Sequence, residues 1–333
     1  MQTRFDVLTI GNAIVDVLAR VDDDFLTREG LDKGIMHLTE WGKAEYLYKS
    51  MPEAKRQVSG GSAANTAAGV ASLGGRAAFV GKVADDELGK FFAEDLRRGG
   101  TSFKTEPLLH GSATARSMIL ITPDGERTMN TYLGACHELT VEDIDEKDIG
   151  AAAITFMEGF LWDPPEAKRA FVKAAKIAHE HDRLASLTLS DAFCVDRFRA
   201  EFLDLLRSGT VDLVLANLAE LKSLYETDDL EIAITQIAAD AKLSAITMSE
   251  NGAMAIRGNE RVSVPAFKVP SVEDATGAGD LFAAGFLLGV ARDKPLEFSL
   301  RLGCLCASEV ISHIGARPEA NLKAFAARHG LAI

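Results

Sequence analysis

The residues with the clearest chemical potential form one short run, Asp274-Ala275-Thr276-Gly277-Ala278-Gly279-Asp280, directly ahead of the apolar stretch Leu281-Phe282-Ala283-Ala284-Gly285-Phe286. Such a stretch after a glycine-rich turn predicts a helix start. The first turn of a helix has unpaired amide hydrogens and carries about half a positive charge, so the turn can cradle phosphate oxygens. Gly277 and Gly279 remove side chains that would hold a phosphate away, and the amides from Gly277 through Ala278 to Gly279 are the candidate donors. Asp280 falls in the first turn, where the dipole is expected to favour its ionised form and lower its pKa. A carboxylate suits phosphoryl transfer, which needs an oriented attacking hydroxyl, a late proton acceptor and electrostatic stabilisation of the transferred group. An acidic residue that merely steadies a helix is the plain alternative for any Gly-x-Gly-Asp; Asp274 and Thr276 ahead of it favour chemistry.

Other phosphate-binding devices are missing. Gly81-Lys82 is followed by Val83, so no P-loop occurs, and no G-x-G-x-x-G follows the first strand, which speaks against a dinucleotide-dependent dehydrogenase. The 49 acidic and 36 basic residues give a net charge of −13, which argues against broad binding to nucleic acid or anionic membrane. The four cysteines form no C-x-x-C pair and read as reduced and mostly buried. No signal-peptide pattern opens the sequence, and its longest apolar stretch, 281–290, is far shorter than the ~20 residues that span a bilayer. A cytoplasmic location is the expectation.

The elements that must position this run alternate between short β-rich stretches and amphipathic helices. Strands are expected at 7–10, 77–80, 153–157, 184–189, 213–215 and 245–248, with helices at 63–73, 86–97, 165–179, about 196–206, 278–291 and 296–312. That rhythm predicts βαβ units and a mostly parallel sheet with helices on both faces. Two segments, about 12–40 and 110–134, break it with alternating polar and apolar residues around turn signals such as Pro123-Asp124-Gly125. They are expected to pair as antiparallel strands in a small β lid, and residues 1–333 to form a single domain.

The run from Asp274 to Asp280 resembles the C-terminal signature of the PfkB, or ribokinase-like, carbohydrate and nucleoside kinases. Ser59-Gly60-Gly61-Ser62-Ala63-Ala64-Asn65 resembles that family's N-terminal Gly-Gly-x-x-x-Asn pattern, and the resemblance covers essentially the whole chain. It implies a three-layer ribokinase-like α/β fold with a β lid, ATP as co-substrate, Mg²⁺, and a small hydroxylated acceptor whose primary hydroxyl Asp280 orients and deprotonates. Gly60 and Gly61 would let the backbone approach a polyhydroxylated ligand, with Asn65 offering a donor and an acceptor. Asn12 and Asp16 resemble the first sugar-contacting segment, where a carboxylate suits a vicinal diol.

Asn217 and Glu220 resemble the family's Asn-x-x-Glu motif, with Glu220 reaching Mg²⁺ through water; the same spacing is a capping box, and only the other motifs tip it towards a ligand. Thr247, Ser249, Glu250 and Gly252 resemble the nucleotide-holding segment, which an ordinary turn explains nearly as well. Arg127 resembles an arginine that reaches the phosphates in adenosine-kinase-like members. Asp274 and Thr276 match a monovalent-cation site, for K⁺ for example, that many relatives carry. The softer resemblance around Gly34-Ile35-Met36-His37 and Arg127-Thr128-Met129-Asn130 is closest to the adenosine-kinase-like branch, with Met36, Met118 and Phe160 as candidate walls for a flat purine. It implies phosphorylation of a nucleoside 5′-hydroxyl, adenosine to AMP first, with a free-sugar kinase or another nucleoside as the competitor and a catalytically idle ligand-binding regulator less favoured. A monomer and a lid-mediated homodimer both fit.

Overall fold

A computed structural model describes residues 3–53 and 55–333; residues 1, 2 and 54 lie outside it, and with them the first two residues of the N-terminal reading. The chain opens with β1 (Phe5–Ile10), β2 (Ile14–Arg20), α1 (Asp23–Glu29), β3 (Met36–Leu38), α2 (Trp41–Ser50), β4 (Arg56–Gly60), α3 (Ser62–Ser72), β5 (Ala77–Val80) and α4 (Glu87–Arg98). It continues with β6 (Ser102–Phe103), β7 (Ala115–Ile121), β8 (Arg127–Tyr132), α5 (Glu146–Gly150), β9 (Ala152–Glu158), α6 (Pro165–Glu180), β10 (Leu184–Thr188) and α7 (Ala192–Arg207). The last part holds β11 (Leu213–Asn217), α8 (Leu218–Tyr225), α9 (Leu230–Asp240), β12 (Leu243–Thr247), β13 (Ala253–Arg257), β14 (Glu260–Val264), α10 (Ala278–Ala291), α11 (Leu296–Val310) and α12 (Leu322–Arg328).

Nine strands form the larger sheet in the order β14-β13-β12-β11-β10-β9-β1-β5-β6, parallel from β12 to β6 and antiparallel at β13 and β14. Alternate side chains enter opposite cores. Val7 and Phe79 pack with Leu281, Phe286 and Leu300 of α10 and α11, while Leu8 and Ala78 pack with Phe171 and Phe202 of α6 and α7. Both faces are therefore covered, which is why these strands read as nearly continuous apolar runs. The result is the expected three-layer architecture.

The smaller sheet has the order β3-β8-β7-β2-β4. It departs from the antiparallel expectation, because β2 pairs with β7, and β3 with β8, in parallel. Parallel partners must come from separate segments, and both β2 and β7 do. It also takes in β4, whose alternation ends in the Gly60-Gly61 motif and hides the strand from a reading of periodicity. One face, with Val15, Val17 and Met118, packs into the core that also holds Ala44, Leu47 and Phe25 of α2 and α1. The opposite face carries Asp16 and Leu18, paired through Ser117 and Ile119. Met118 thus belongs to the packed face rather than to a ligand wall. The four cysteines are buried and unpaired, and among the described residues no helix is long and apolar enough to cross a membrane.

Candidate active site

The strand ends of the larger sheet deliver the site. β1 runs into Asn12, whose backbone N–H and Nδ2 donate to Glu158 at the end of β9, at 3.2 and 2.7 Å. Glu158 Oε2 also accepts from Ala63 N at 2.8 Å, in the first turn of α3. One buried carboxylate thus ties the first sugar-like segment to the start of the second. Burial raises the Glu158 pKa to about 7, opposed by its Ala63 and Asn12 bonds.

The two glycine-rich motifs meet at Asp280. Ser62 Oγ donates to Asp280 Oδ1 at 2.6 Å, Asn65 Nδ2 to Oδ2 at 2.9 Å, and Thr66 Oγ1 to the Asp280 carbonyl at 3.1 Å. Each asparagine turns its amide nitrogen to a carboxylate, Asn12 to Glu158 and Asn65 to Asp280, so both amide orientations are fixed. Asn12 Oδ1 and Asn65 Oδ1 are consequently buried acceptors without a partner. Asp16 stands nearby on β2, packed so closely on Gly60 that a Cβ there would overlap its carboxylate. Gly61, at φ 92°, turns the chain into α3.

Gly277 caps α10 with φ 83°, in the left-handed region that favours glycine. The first i to i−4 bond is Leu281 N–H to the Gly277 carbonyl at 2.9 Å, while Ala278 N–H bonds back to Ala275 at 3.2 Å. The donors left to an anion are therefore those of Gly277, Gly279 and Asp280, not that of Ala278. A Cβ on Gly279 would meet nothing within 4 Å, so the approach is open.

The lowered pKa expected for Asp280 is corrected: its pKa is raised. Burial outweighs the Ser62, Asn65 and Arg317 contributions, which act the other way. Asp16 is likewise raised by burial, to about 7, with Arg317 and Arg127 lowering it and Asp280 adding to the rise.

Two cavities flank Asp280. The first, about 90 Å³, is lined by Asp16, Leu18, Val58, Asn65, Ile119, Arg127, Thr276 and Ile314 among others. The second, about 220 Å³, holds Ser62, Phe160, Asn217, Glu220, Thr247, Gly279 and Asp280. Asn217 and Thr247 are register partners at the ends of β11 and β12, which explains their meeting. Phe160 lies in this second cavity, away from the Asp16 wall. Met36 is half exposed on edge strand β3; its register with Met129, and of Met129 with Ile119, puts it on the Asp16 face outside the cavity lining.

The capping box weighed for Asn217 and Glu220 is formed in both directions, with Asn217 Oδ1 accepting from Glu220 N at 2.9 Å and Glu220 Oε2 from Asn217 N at 3.0 Å. Glu220 still lines the second cavity, and burial raises its pKa to about 7. Ser249, Glu250 and Gly252 shape the turn between β12 and β13 and line neither cavity; Gly252 faces the Val264 carbonyl so closely that a Cβ would overlap it. Arg127 forms an ion pair with Asp274 at 2.8 Å and donates to Thr276 Oγ1 at 2.9 Å, closing the smaller sheet onto the phosphate turn. Asp274 also accepts from Thr276 N, Thr276 Oγ1 and Gly315 N. Each of its carboxylate oxygens thus accepts twice.

The sequence reading missed Glu158, Ser62, Thr66 and Arg317. A lone carboxylate closing the otherwise uncharged strand Ala152–Glu158 was a usable signal for the first. Arg317 sits in an irregular segment and carries none.

This fold and site define a phosphotransferase that acts on an alcohol group, of the sugar- and nucleoside-kinase class. The chain belongs to the PfkB family: the pfkB family carbohydrate kinase model matches residues 47–322. It is 55% identical to the adenosine kinase from Sinorhizobium meliloti, over 98% of this chain and 100% of that one, with a TM-score of 0.90. It is 54% identical to a probable sugar kinase protein from Rhizobium etli CFN 42, over 99% and 100% of the two chains, with a TM-score of 0.92. Fructokinase-1 of Oryza sativa subsp. japonica is 30% identical over 272 residues, 78% of this chain and 84% of that protein. A kinase of this family takes ATP as phosphoryl donor and a nucleoside or sugar hydroxyl as acceptor.

Proposed function

We propose that the chain transfers the γ-phosphoryl group of ATP to the 5′-hydroxyl of a nucleoside, adenosine before others, giving AMP and ADP. The observation that carries this is the pair of acceptors in the cavity beside Asp280: the Asp16 carboxylate and the orphaned Oδ1 of Asn65 call for hydroxyl donors from the ligand. Leu18, Val58, Ile119 and Ile314 in the same cavity suit an apolar ring attached to such a sugar. The likeness to the Sinorhizobium meliloti adenosine kinase supports adenosine.

Asp280, held by Ser62 and Asn65, orients the acceptor hydroxyl and takes its proton as the new O–P bond forms and the bond from the γ-phosphorus to the β-phosphate oxygen breaks. Its raised pKa makes it a better base than a dipole-lowered carboxylate. The Gly279 and Asp280 amides face the charge that develops on the transferred group. Mg²⁺ would supply neutralisation of the phosphates, and Glu220, in the cavity beside Gly279 and Asp280, suits contact with it through water. The small sheet, tied to the turn before α10 through Arg127, is placed to serve as a lid over the acceptor.

The competing reading is a free-sugar kinase, favoured by the likeness to rice fructokinase-1 and to the Rhizobium etli probable sugar kinase protein. Coupled ADP release with Mg-ATP and adenosine, other nucleosides, ribose or fructose separates the two. Adenosine is expected to give the highest kcat/KM; turnover of ribose or fructose without adenosine overturns the assignment.

A further inference from the structure

Arg317 lies between α11 and α12 and lines the first cavity with Asp16 and Asn65. Its Nε donates to the Ser59 carbonyl at 2.9 Å and its Nη2 to Ser59 Oγ at 3.1 Å. Ser59 Oγ donates in turn to Asp95 of α4. Ser59 directly precedes Gly60 and Gly61, so the guanidinium is fixed to the strand that forms the cavity floor. These bonds use two of the five N–H donors of an arginine. Arg127, the other arginine acting on Asp16, is already bonded to Asp274 and Thr276. Arg56 lines the same cavity and Arg127 keeps its Nη2 without a partner, but Arg317 is the arginine bonded to the strand that leads into Gly60 and Gly61 with donors left over, and it also acts on Asp280.

A carboxylate alone accepts from any N–H or O–H group. A guanidinium alone donates to any oxygen. A hydroxyl is the small group that satisfies both, because it donates one hydrogen while its oxygen accepts another. We propose that Arg317 is a specificity-determining residue that pairs with Asp16 to recognise a vicinal diol: Asp16 accepts from the hydroxyls while Arg317 donates to an oxygen of the same diol. The pair demands intact hydroxyls rather than mere polarity. This rests on the reading of the chain as a nucleoside or sugar kinase, but not on adenosine.

The test compares adenosine with 2′-deoxyadenosine and 3′-deoxyadenosine, by turnover and by calorimetric binding, in wild type, Arg317→Met and Arg317→Lys. Wild type is expected to prefer adenosine over at least one deoxy analogue by about 10²-fold or more in kcat/KM, since a site built around a hydroxyl leaves buried polar groups unpaired without it. Arg317→Met should lower adenosine kcat/KM about 10- to 100-fold, mostly through KM, and change the discriminated analogue less than about threefold, the loss expected for a charge-assisted hydrogen bond. Arg317→Lys keeps the charge without the fork and should fall between. The acid limb of kcat/KM should also move to higher pH in the Met variant. Of the charged groups acting on Asp16, Arg317 and Arg127 hold its pKa down and Asp280 raises it, while Arg56 and Glu319 line the same cavity. Equal losses on adenosine and its analogues, in whichever variant folds, reduce Arg317 to a structural tie and overturn the proposal, as does no loss at all. If adenosine is not bound but ribose or fructose is, the adenosine assignment fails, and the same comparison on that sugar and its deoxy counterparts decides the role of Arg317.

Discussion

The two sides of Asp280 are built by different means. On the side we assign to the nucleotide, Asn217 and Glu220 hold each other where β11 ends and α8 begins, with Thr247 beside Asn217 and Gly279 in the first turn of α10. On the acceptor side, Asn12, Asn65, Arg127 and Arg317 are held by partners more than forty residues away, and Asp16 by the pairing of β2 with β4 and β7. Phosphate oxygens are common to every nucleotide, and generic helix starts suffice for them. A particular acceptor needs acceptors and donors fixed at set positions, and that takes contacts across the fold.

Substitutions on each side can break or sharpen that contrast. The largest effect belongs to the shared centre: Asp280→Asn is expected to cut kcat at least ~10²-fold while circular dichroism stays native, and near-normal turnover sinks its assignment as base. On the acceptor side, Asp16→Asn should raise the acceptor KM about 10- to 100-fold while the KM for ATP changes little, as expected for loss of hydrogen bonds to a charged group. A parallel rise in both KM values would erase the distinction between the two sides. On the nucleotide side, Glu220→Gln keeps a capping residue, so the melting temperature should hold while the Mg²⁺ concentration for half-maximal rate rises; Asn217→Ala should instead cost about 0.5–2 kcal/mol of stability in denaturant titration. If Glu220→Gln leaves the Mg²⁺ dependence untouched, Glu220 is a cap and nothing more.

The smallest expected effect is one of pH. Asp16, Glu158 and Glu220 have folded pKa values raised to about 7. Between an unfolded carboxylate pKa of about 4 and about 7, the folded state binds more protons than the unfolded one, so these groups make stability fall as pH rises through that window. Activity should move the other way, because Asp16 and Asp280 work ionised. Thermal melts and kcat/KM measured from about pH 5 to 8 should slope in opposite directions, and parallel slopes would contradict the raised values.

The same contrast sets how much was legible in the sequence. The βαβ rhythm, the glycine turns around Gly60 and Gly277, and the Asn217–Glu220 pair are local patterns, and each appears in the fold as an element or a cap. Glu158 and Arg317 were not legible because their roles exist only where distant segments meet. The Asp280 pKa was misjudged in sign for a related reason: a helix start can be read from its residues, whereas burial against the distant residues Ser62 and Asn65 cannot. Arg127 was legible as a candidate phosphate ligand, but its bond to Asp274 required the sheet to fold down on the turn.

That ion pair makes the free protein its own competitor. If the smaller sheet lifts to admit the acceptor, that pair opposes it, and apparent affinity becomes the intrinsic affinity scaled by the fraction of molecules standing open. Arg127→Ala should therefore admit the acceptor more easily yet guard ATP less well, with acceptor-free ADP release rising about three- to tenfold against transfer. A tighter latch would make a slower but cleaner catalyst, and a looser one a faster, wasteful one.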